Sequence, residues 1–378
     1  MPLDYEILRI IWWALIGVLL IGFAVMDGFD LGVAMWLPWV AKTDMDRRIL
    51  INSIAPTWEG NQVWFILGGG AIFAAWPALY ALSFSGFYFA MFLVLMALIL
   101  RPVGFKYRSK VTNPTWRSFW DYALFIGGFV PTLIFGVALG NVLQGVPFHF
   151  DESLRPFYTG DFLSLLNPFA LLSGVLSVLM LAMHGAFFLT VKTEGHIQRR
   201  ARKAAKICAF LTPIVFISAG VWLHYGIDGY SLTGIVPHDG PSNPLYKAAI
   251  QQPDAWFNNY RAYPITLLVP ILGFVAALLA LISARWAKLA FFFSALSVTG
   301  IIATVGVSMF PFILPSSTNP GQSLIVWDSS SSHLTLFIML IAVAIFLPVV
   351  LAYTAWVYRV LRGKVTEQTI TENPDTAY

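Results

Sequence analysis

The chain is predicted to be an all-α polytopic membrane protein of nine transmembrane helices, and three observations carry that prediction. Of its 378 residues, 58% are hydrophobic and only 11% are charged, too little charge to cover the surface of a soluble fold of this size. The apolar residues gather in runs of the length a helix needs to cross a hydrocarbon core of about 30 Å, about 20 residues. Nineteen of the 23 Lys and Arg fall in alternate gaps between those runs.

The first run, 9–39, begins after Asp4 and Glu6, where a cleavable signal peptide needs positive charge, and it is too long for the apolar region of one. It is therefore expected to remain in the protein. The second, 61–77, follows Pro56 in NSIAPTWEGNQVW, with Glu59 at its inward end; the third, 79–100, is closed by Arg101. The fourth, 119–142, is opened by Asp121 in SFWDYALF. The fifth, 162–191, carries His184 in its inner part, and the sixth, 207–225, the lone Cys208. The seventh, 262–283, and eighth, 287–310, are separated by Arg285 and Lys288, and the ninth is 333–360.

The basic gaps are 42–48, 101–117, 192–206, 285–288 and 359–364. The intervening gaps hold only Arg9, Arg155, Lys247 and Arg261 against nine acidic residues. The positive-inside rule makes the first set cytoplasmic, so the N-terminus is expected outside and the C-terminus inside. The pI near 9.1 then reflects anchoring charge spread over five gaps rather than a nucleic-acid surface, and nucleic acid is not expected as a partner. One cysteine excludes an internal disulfide and a multi-cysteine metal site. Two outer segments, the proline-rich 226–261 and 311–332, are longer than the rest and are expected as exposed loops; loops of that length usually cover something.

Four acidic residues lie inside spans or at their inward ends. Asp27 and Asp30 are three residues apart in GFAVMDGFDLG and so share a helix face, while Gly28 and Gly32 allow another helix close. At about 1.5 Å per residue Asp27 lies about 26 to 30 Å down the first helix, in the inner half of the membrane. Glu59 and Asp121 are at the same side, as is Arg101. Carboxyl groups facing lipid cost about 2.5 to 3.5 kcal/mol or more, so these should face protein or water. Carboxyls open to one side only suit proton uptake toward a buried reaction centre better than through-transport, which needs polar sites reaching both faces. A plainer reading stands beside it, in which Asp121 caps its helix and pairs with Arg101, and Asp30 and Glu59 serve structure alone.

The six histidines offer no pair at matching depth for a haem: His184 is alone in its span, His224 and His333 lie near outer helix ends, and His149, His196 and His238 fall in loops. The tryptophans cluster near span ends, Trp12, Trp36, Trp39, Trp58, Trp76, Trp116, Trp222 and Trp356 among them, as an interfacial belt would. Trp58 and Trp64 flank Glu59 and either line a site or belong to belt or core.

Seven segments in order across nearly the whole chain carry a resemblance: GFAVMDGFDLG, NSIAPTWEGNQVW, IFAAWPALYA, RPVGFKYRSK, FGVALGNVLQGVPF, AGVWLHYGIDGY and MFPFILPSST. Together they resemble subunit II of the cytochrome bd-type ubiquinol oxidases, in an enterobacterial form. The resemblance implies two four-helix bundles and a peripheral ninth helix, dividing the chain into 1–156, 157–310 and 311–378. It implies a heterodimer with a haem-bearing subunit I that carries haems b558, b595 and d, a small single-span accessory subunit, bound lipid, and a quinone held in a hydrophobic pocket. It places Glu59, at the acidic position of the APTWEG motif, on a cytoplasmic proton path. Asp30, Trp58, Arg101 and Asp121 match positions associated with the surroundings of haem d. The rival reading from the residues is a secondary transporter or channel with Asp27, Asp30 and Glu59 as ion sites.

Overall fold

A computed structural model describes residues 3–372; positions 373–378, the end of the expected cytoplasmic tail, lie outside the described residues. The helices are α1 (Tyr5–Val40), α2 (Asp44–Ile54), α3 (Trp58–Ala75), α4 (Pro77–Gly86), α5 (Tyr88–Leu98), α6 (Leu100–Tyr107), α7 (Pro114–Gln144), α8 (Pro168–Lys192), α9 (Gly195–Gly226), α10 (Asn258–Ala262), α11 (Leu268–Ile282), α12 (Ala287–Met309), α13 (His333–Val360) and α14 (Glu367–Glu372). Three two-stranded antiparallel hairpins join them: β1 (Phe148–Phe150) with β2 (Pro156–Tyr158), β3 (Asp228–Leu232) with β4 (Ala249–Pro253), and β5 (Phe312–Leu314) with β6 (Leu324–Ile325).

Among the described residues, eight helical segments are long and apolar enough to cross a membrane. α3, the expected second span, is not one of them: Glu59, Asn61 and Gln62 fall in its first two turns and lower its hydropathy. The third span is not one continuous helix. It breaks at Phe87 and again at Ile99, where Pro102 lacks an N–H to donate to Leu98 and its ring crowds that carbonyl. Arg101 therefore does not close the span but sits inside α6.

Three helices start elsewhere than the charge pattern suggests. α7 begins at Pro114, capped by Asn113, whose side-chain oxygen accepts from the Thr115 amide at 2.8 Å. α8 begins only at Pro168, capped by Asn167 accepting from the Ala170 amide at 2.9 Å. α9 begins at Gly195, so the basic stretch 199–206 and His196 are helical rather than loop. Arg and Lys are good helix formers, and charge alone does not end a helix.

α8 is the central element, packing along α1, α7, α9 and α12. Small residues set its approach to α1: a Cβ on Gly32 would meet Gly185 Cα at 2.8 Å. α7 comes equally close on the other side, since a Cβ on Gly128 would meet the Ala34 side chain at 2.9 Å. The stretch of α1 between Ala24 and Met35 is buried throughout except at Val25 and Met26.

The long segments at the end remote from the basic gaps are not both exposed loops. The 226–261 segment forms the β3–β4 hairpin and buries Tyr230 and Trp256, while 311–332 is largely buried, with Leu324, Ile325 and Val326 at 0% exposure. They pack with Leu8, Trp12 and Trp76 into one apolar cluster. Beneath them Lys247 pairs with Asp328 at 2.5 Å; burial lowers the lysine and raises the aspartate from their ordinary values, and each partner's charge opposes its neighbour's shift. His149 falls in β1 rather than a loop. Trp12, Trp58 and Trp76 are buried in the protein, whereas Trp39, Trp116, Trp222 and Trp356 are exposed, as a belt requires.

Candidate functional site

The carboxyl residues separate into three environments. Asp27 and Asp30, three residues apart on α1, both point inward and both are fully buried. Asp27 takes the fork of Arg101 from α6, with Nη2 to Oδ1 at 2.8 Å and Nη1 to Oδ2 at 3.1 Å; neither side chain has any exposure. Such a bidentate pair is the geometry in which a buried guanidinium is best satisfied. Trp58 covers Arg101, whose guanidinium carbon lies 5.8 Å from the ring centroid, and Trp58 packs in turn on Phe105.

Asp30 is held differently. Its Oδ2 accepts from Asn61 Nδ2 of α3 at 2.7 Å, and the Asn61 carbonyl accepts from the Tyr358 hydroxyl of α13, also at 2.7 Å. Its Oδ1 is buried and has no hydrogen-bond partner. Two carboxyl groups thus face one guanidinium: one is neutralised by it and the other keeps an open oxygen. Arg101 Nε is likewise buried without a partner.

Asp121 belongs elsewhere. Because α7 starts two turns before it, Asp121 is no cap, and it does not pair with Arg101. It takes Arg108 Nε and Nη2 at 2.5 and 3.2 Å and Arg47 Nη1 at 2.7 Å. Asp44 extends this lattice to Arg108 at 2.9 Å and Arg117 at 2.7 Å. Asp46 joins α2 to α9 through His196 at 2.8 Å and Arg200 at 3.0 Å. Burial alone would raise the Asp46 carboxyl, but hydrogen bonds with the His196 side chain, the Lys42 backbone and the Thr43 side chain outweigh it and hold the group down at about 2. This ion-pair lattice fastens α2, α6, α7 and α9 at the basic end of the helices.

Glu59 stands apart from both groups. It is the second residue of α3 and is exposed, whereas Asn61 two residues on is 2% exposed and turned inward. Two positions along a helix are about 200° apart, so one turn of α3 presents Glu59 outward and Asn61 toward Asp30. The pattern of residues placed Asp27, Asp30, Trp58 and Arg101 together in depth; Asn61 and Tyr358 were not foreseen. The signal for Asn61 was its place at i+2 from Glu59 and i+3 from Trp58, but Tyr358 lies 297 residues away from its partner and nothing local marks it.

Five of the six histidines have polar partners within the chain, whereas His149, stacked on Phe157, keeps a buried Nδ1 without one. His184 is fully buried with both ring nitrogens engaged, Nδ1 with Ser294 Oγ at 2.8 Å and Nε2 with the Val25 carbonyl at 2.9 Å, and its ring is stacked on Phe291. His196, His224 and His238 are each bonded to a carboxylate and His333 to the Leu3 carbonyl. Among the described residues no three His, Cys, Asp or Glu side chains group as a metal site would require.

Long apolar helices, a buried Asp–Arg pair and a half-satisfied carboxyl beside it define an integral membrane protein with a polar site inside its basic half. The sequence pattern of cytochrome bd terminal oxidase subunit II matches residues 8–361, and the chain belongs to that family. It is 54% identical over 378 residues to a probable cytochrome oxidase subunit 2 of Haemophilus influenzae, covering both chains completely. It is 51% identical, again over the whole of both, to the cytochrome bd-I ubiquinol oxidase subunit 2 of Escherichia coli K12. The cytochrome bd ubiquinol oxidase subunit 2 of Bacillus subtilis is 31% identical over 95% of this chain and 97% of that one. In fold it is similar to a chain of the bd oxidase from Geobacillus thermodenitrificans, with a TM-score of 0.70 at 16% identity, over 94% of this chain and 98% of that one.

Proposed function

We propose that the chain is the second subunit of a quinol-oxidising, oxygen-reducing terminal oxidase of the bacterial inner membrane, and that its buried polar site serves proton uptake and the surroundings of haem d. Full-length relatives named as subunits of such oxidases support the complex it belongs to. The rival transporter reading receives no support from them. The oxidase carries haem. Haems b558, b595 and d are assigned to a larger subunit I, with which this chain forms a heterodimer, in keeping with His184, the one histidine inside a span, having both ring nitrogens engaged.

The observation that carries the site reading is the asymmetry of the two α1 carboxyls. Asp27 is spent on Arg101, while Asp30 keeps an unpartnered buried oxygen at Oδ1, the place where a proton or a water can bind. Asp30, Trp58 and Arg101 form one contiguous group behind haem d. Asp121 acts at more distance, by holding the Arg108 end of α6 that presents Arg101. Glu59, exposed on α3, is the entry carboxyl of the proton path, and its exposed face meets subunit I or water.

The topology follows the charge pattern: nine crossings, with α3 as the second, the N-terminus periplasmic and the C-terminus cytoplasmic. One bundle comprises α1, α3, α4 to α6 and α7, the other α8, α9, α11 and α12, with α13 peripheral; its single buried residue, Leu336, supports that place. A single-span accessory subunit, a quinone and lipid complete the assembly, and the resemblance of the motifs points to the bd-II isoenzyme. Purification through a tag on this chain tests the proposal. Co-purification of a larger subunit with haem b and d absorbance and quinol-dependent oxygen uptake is expected; a haem-free chain that moves ions in vesicles would overturn it.

A further inference from the structure

We propose that Asn61 and Tyr358 are positioning residues for Asp30: together they fix its carboxyl so that Oδ2 is bonded and Oδ1 is left open to hold a proton. This rests on the reading of Asp30 as part of the proton-handling site. The sense of the Asn61 amide follows from its neighbours. A carboxylate oxygen accepts an N–H, so the amide nitrogen faces Asp30 at 2.7 Å, and its carbonyl must face Tyr358, whose hydroxyl donates to it at 2.7 Å. Without that hydroxyl the amide is free to turn, and a turned amide sets its carbonyl oxygen against a carboxylate oxygen. An amide does not relay a proton under these conditions, so the arrangement orients Asp30 rather than conducting to it; the proton stays at Asp30 Oδ1 and Tyr358 keeps its own.

The placement of Tyr358 gives the link a second consequence. It belongs to α13, of whose 28 residues only Leu336 is buried, so core burial does little to hold that helix. Through Tyr358, which also meets the ring of Phe29 at 6.4 Å between Asp27 and Asp30 on α1, the seating of this outer helix is felt at the buried carboxyl. Asn61 sits in the same turn of α3 as exposed Glu59, so that one turn carries the outward carboxyl on one face and the partner of the inward carboxyl on another.

The test uses the intact oxidase complex carrying Tyr358→Phe, Asp30→Asn, or both. The readouts are the Asp30 carboxyl band in reduced-minus-oxidised infrared difference spectra, identified by its loss in Asp30→Asn, and oxygen uptake per haem d. Tyr358→Phe is expected to shift that band and to slow uptake by roughly two- to tenfold, the worth of one buried hydrogen bond. In the Asp30→Asn background it should add nothing, because it acts only through Asp30. An unmoved band, or the same slowing with Asp30 already replaced, would overturn the positioning role. If Asp30→Asn itself leaves the spectra and the rate unchanged, the underlying reading of Asp30 fails first, and the positioning role falls with it. Should Tyr358→Phe not assemble, Asn61→Ser, which breaks the same link while keeping a small polar side chain, is read identically.

Discussion

Asp27 and Asp30 are the same residue type on one helix face, yet the structure gives their replacement by Asn opposite consequences. Arg101 has no exposed surface, and both oxygens of Asp27 lie within 3.1 Å of its guanidinium. Asp27→Asn keeps the volume but removes the balancing charge and turns one acceptor into a donor facing a donor. Breaking a buried pair in this way costs about 3 to 5 kcal/mol. Asp30→Asn keeps an acceptor for Asn61 and places its new N–H₂ where Oδ1 already lacked a partner, a change worth about 1 kcal/mol or less. Thermal inactivation of the purified complex, followed by loss of haem absorbance, separates the two. Asp27→Asn should melt far earlier or fail to assemble, while Asp30→Asn should assemble nearly as the parent does and lose turnover instead. Equal destabilisation by the two, or a parent-like melt for Asp27→Asn, would refute the division of labour between them.

Three further outcomes are expected. A reporter fused after Pro241 should show periplasmic activity and one in the 192–206 stretch cytoplasmic activity; cytoplasmic activity at Pro241 would sink the nine-span topology. His184→Ala should cost roughly 3 kcal/mol, as truncation of other buried aromatic side chains does, while every haem band persists in the complex that assembles; selective loss of one band would make His184 an axial ligand. The Asp46 carboxyl, held at about 2, lies below its unfolded value of about 4, so it stabilises the fold above that value and the contribution is lost as pH falls from about 4 toward 2. Because its partner His196 is more than half exposed, the effect is of order 1 kcal/mol: Asp46→Asn should melt earlier at pH 7, and the gap should close in acid.

How much could be read from the residues depended on whether the cause was local. Runs of apolar residues and the alternation of basic gaps report directly on burial in lipid, and they located α1, α12 and α13 within a few residues. Gly32 announced the close crossing of α8 because only a missing side chain permits it. Helix starts were misplaced where charge was taken as an end: the basic stretch 199–206 is the beginning of α9, and Asp121 lies two turns inside α7 rather than at its start. The break before Pro102 is legible in the proline itself, which cannot donate to the preceding turn. The partners of the carboxyls were not legible, since Arg101 lies 74 residues from Asp27 and Tyr358 297 from Asn61; Asp and Arg at one depth can pair in several ways, and only packing decides that Asp121 takes Arg108. The burial of the 311–332 segment is not legible in its composition, because proline, serine and asparagine mark irregular backbone rather than exposure, while Leu324, Ile325 and Val326 bury it.

We propose that protons enter through an outward carboxyl on α3 and that the buried group behind it belongs to the same path. Glu59 is exposed in the first turn of α3, so Glu59→Gln removes the titratable proton with little expected effect on stability. Oxygen uptake normalised to haem d is the measurement. Glu59→Gln is expected to assemble with parent haem content and to slow uptake severalfold or more, with Glu59→Asp retaining much of the rate; an unchanged rate in Glu59→Gln would remove this residue from the proton path.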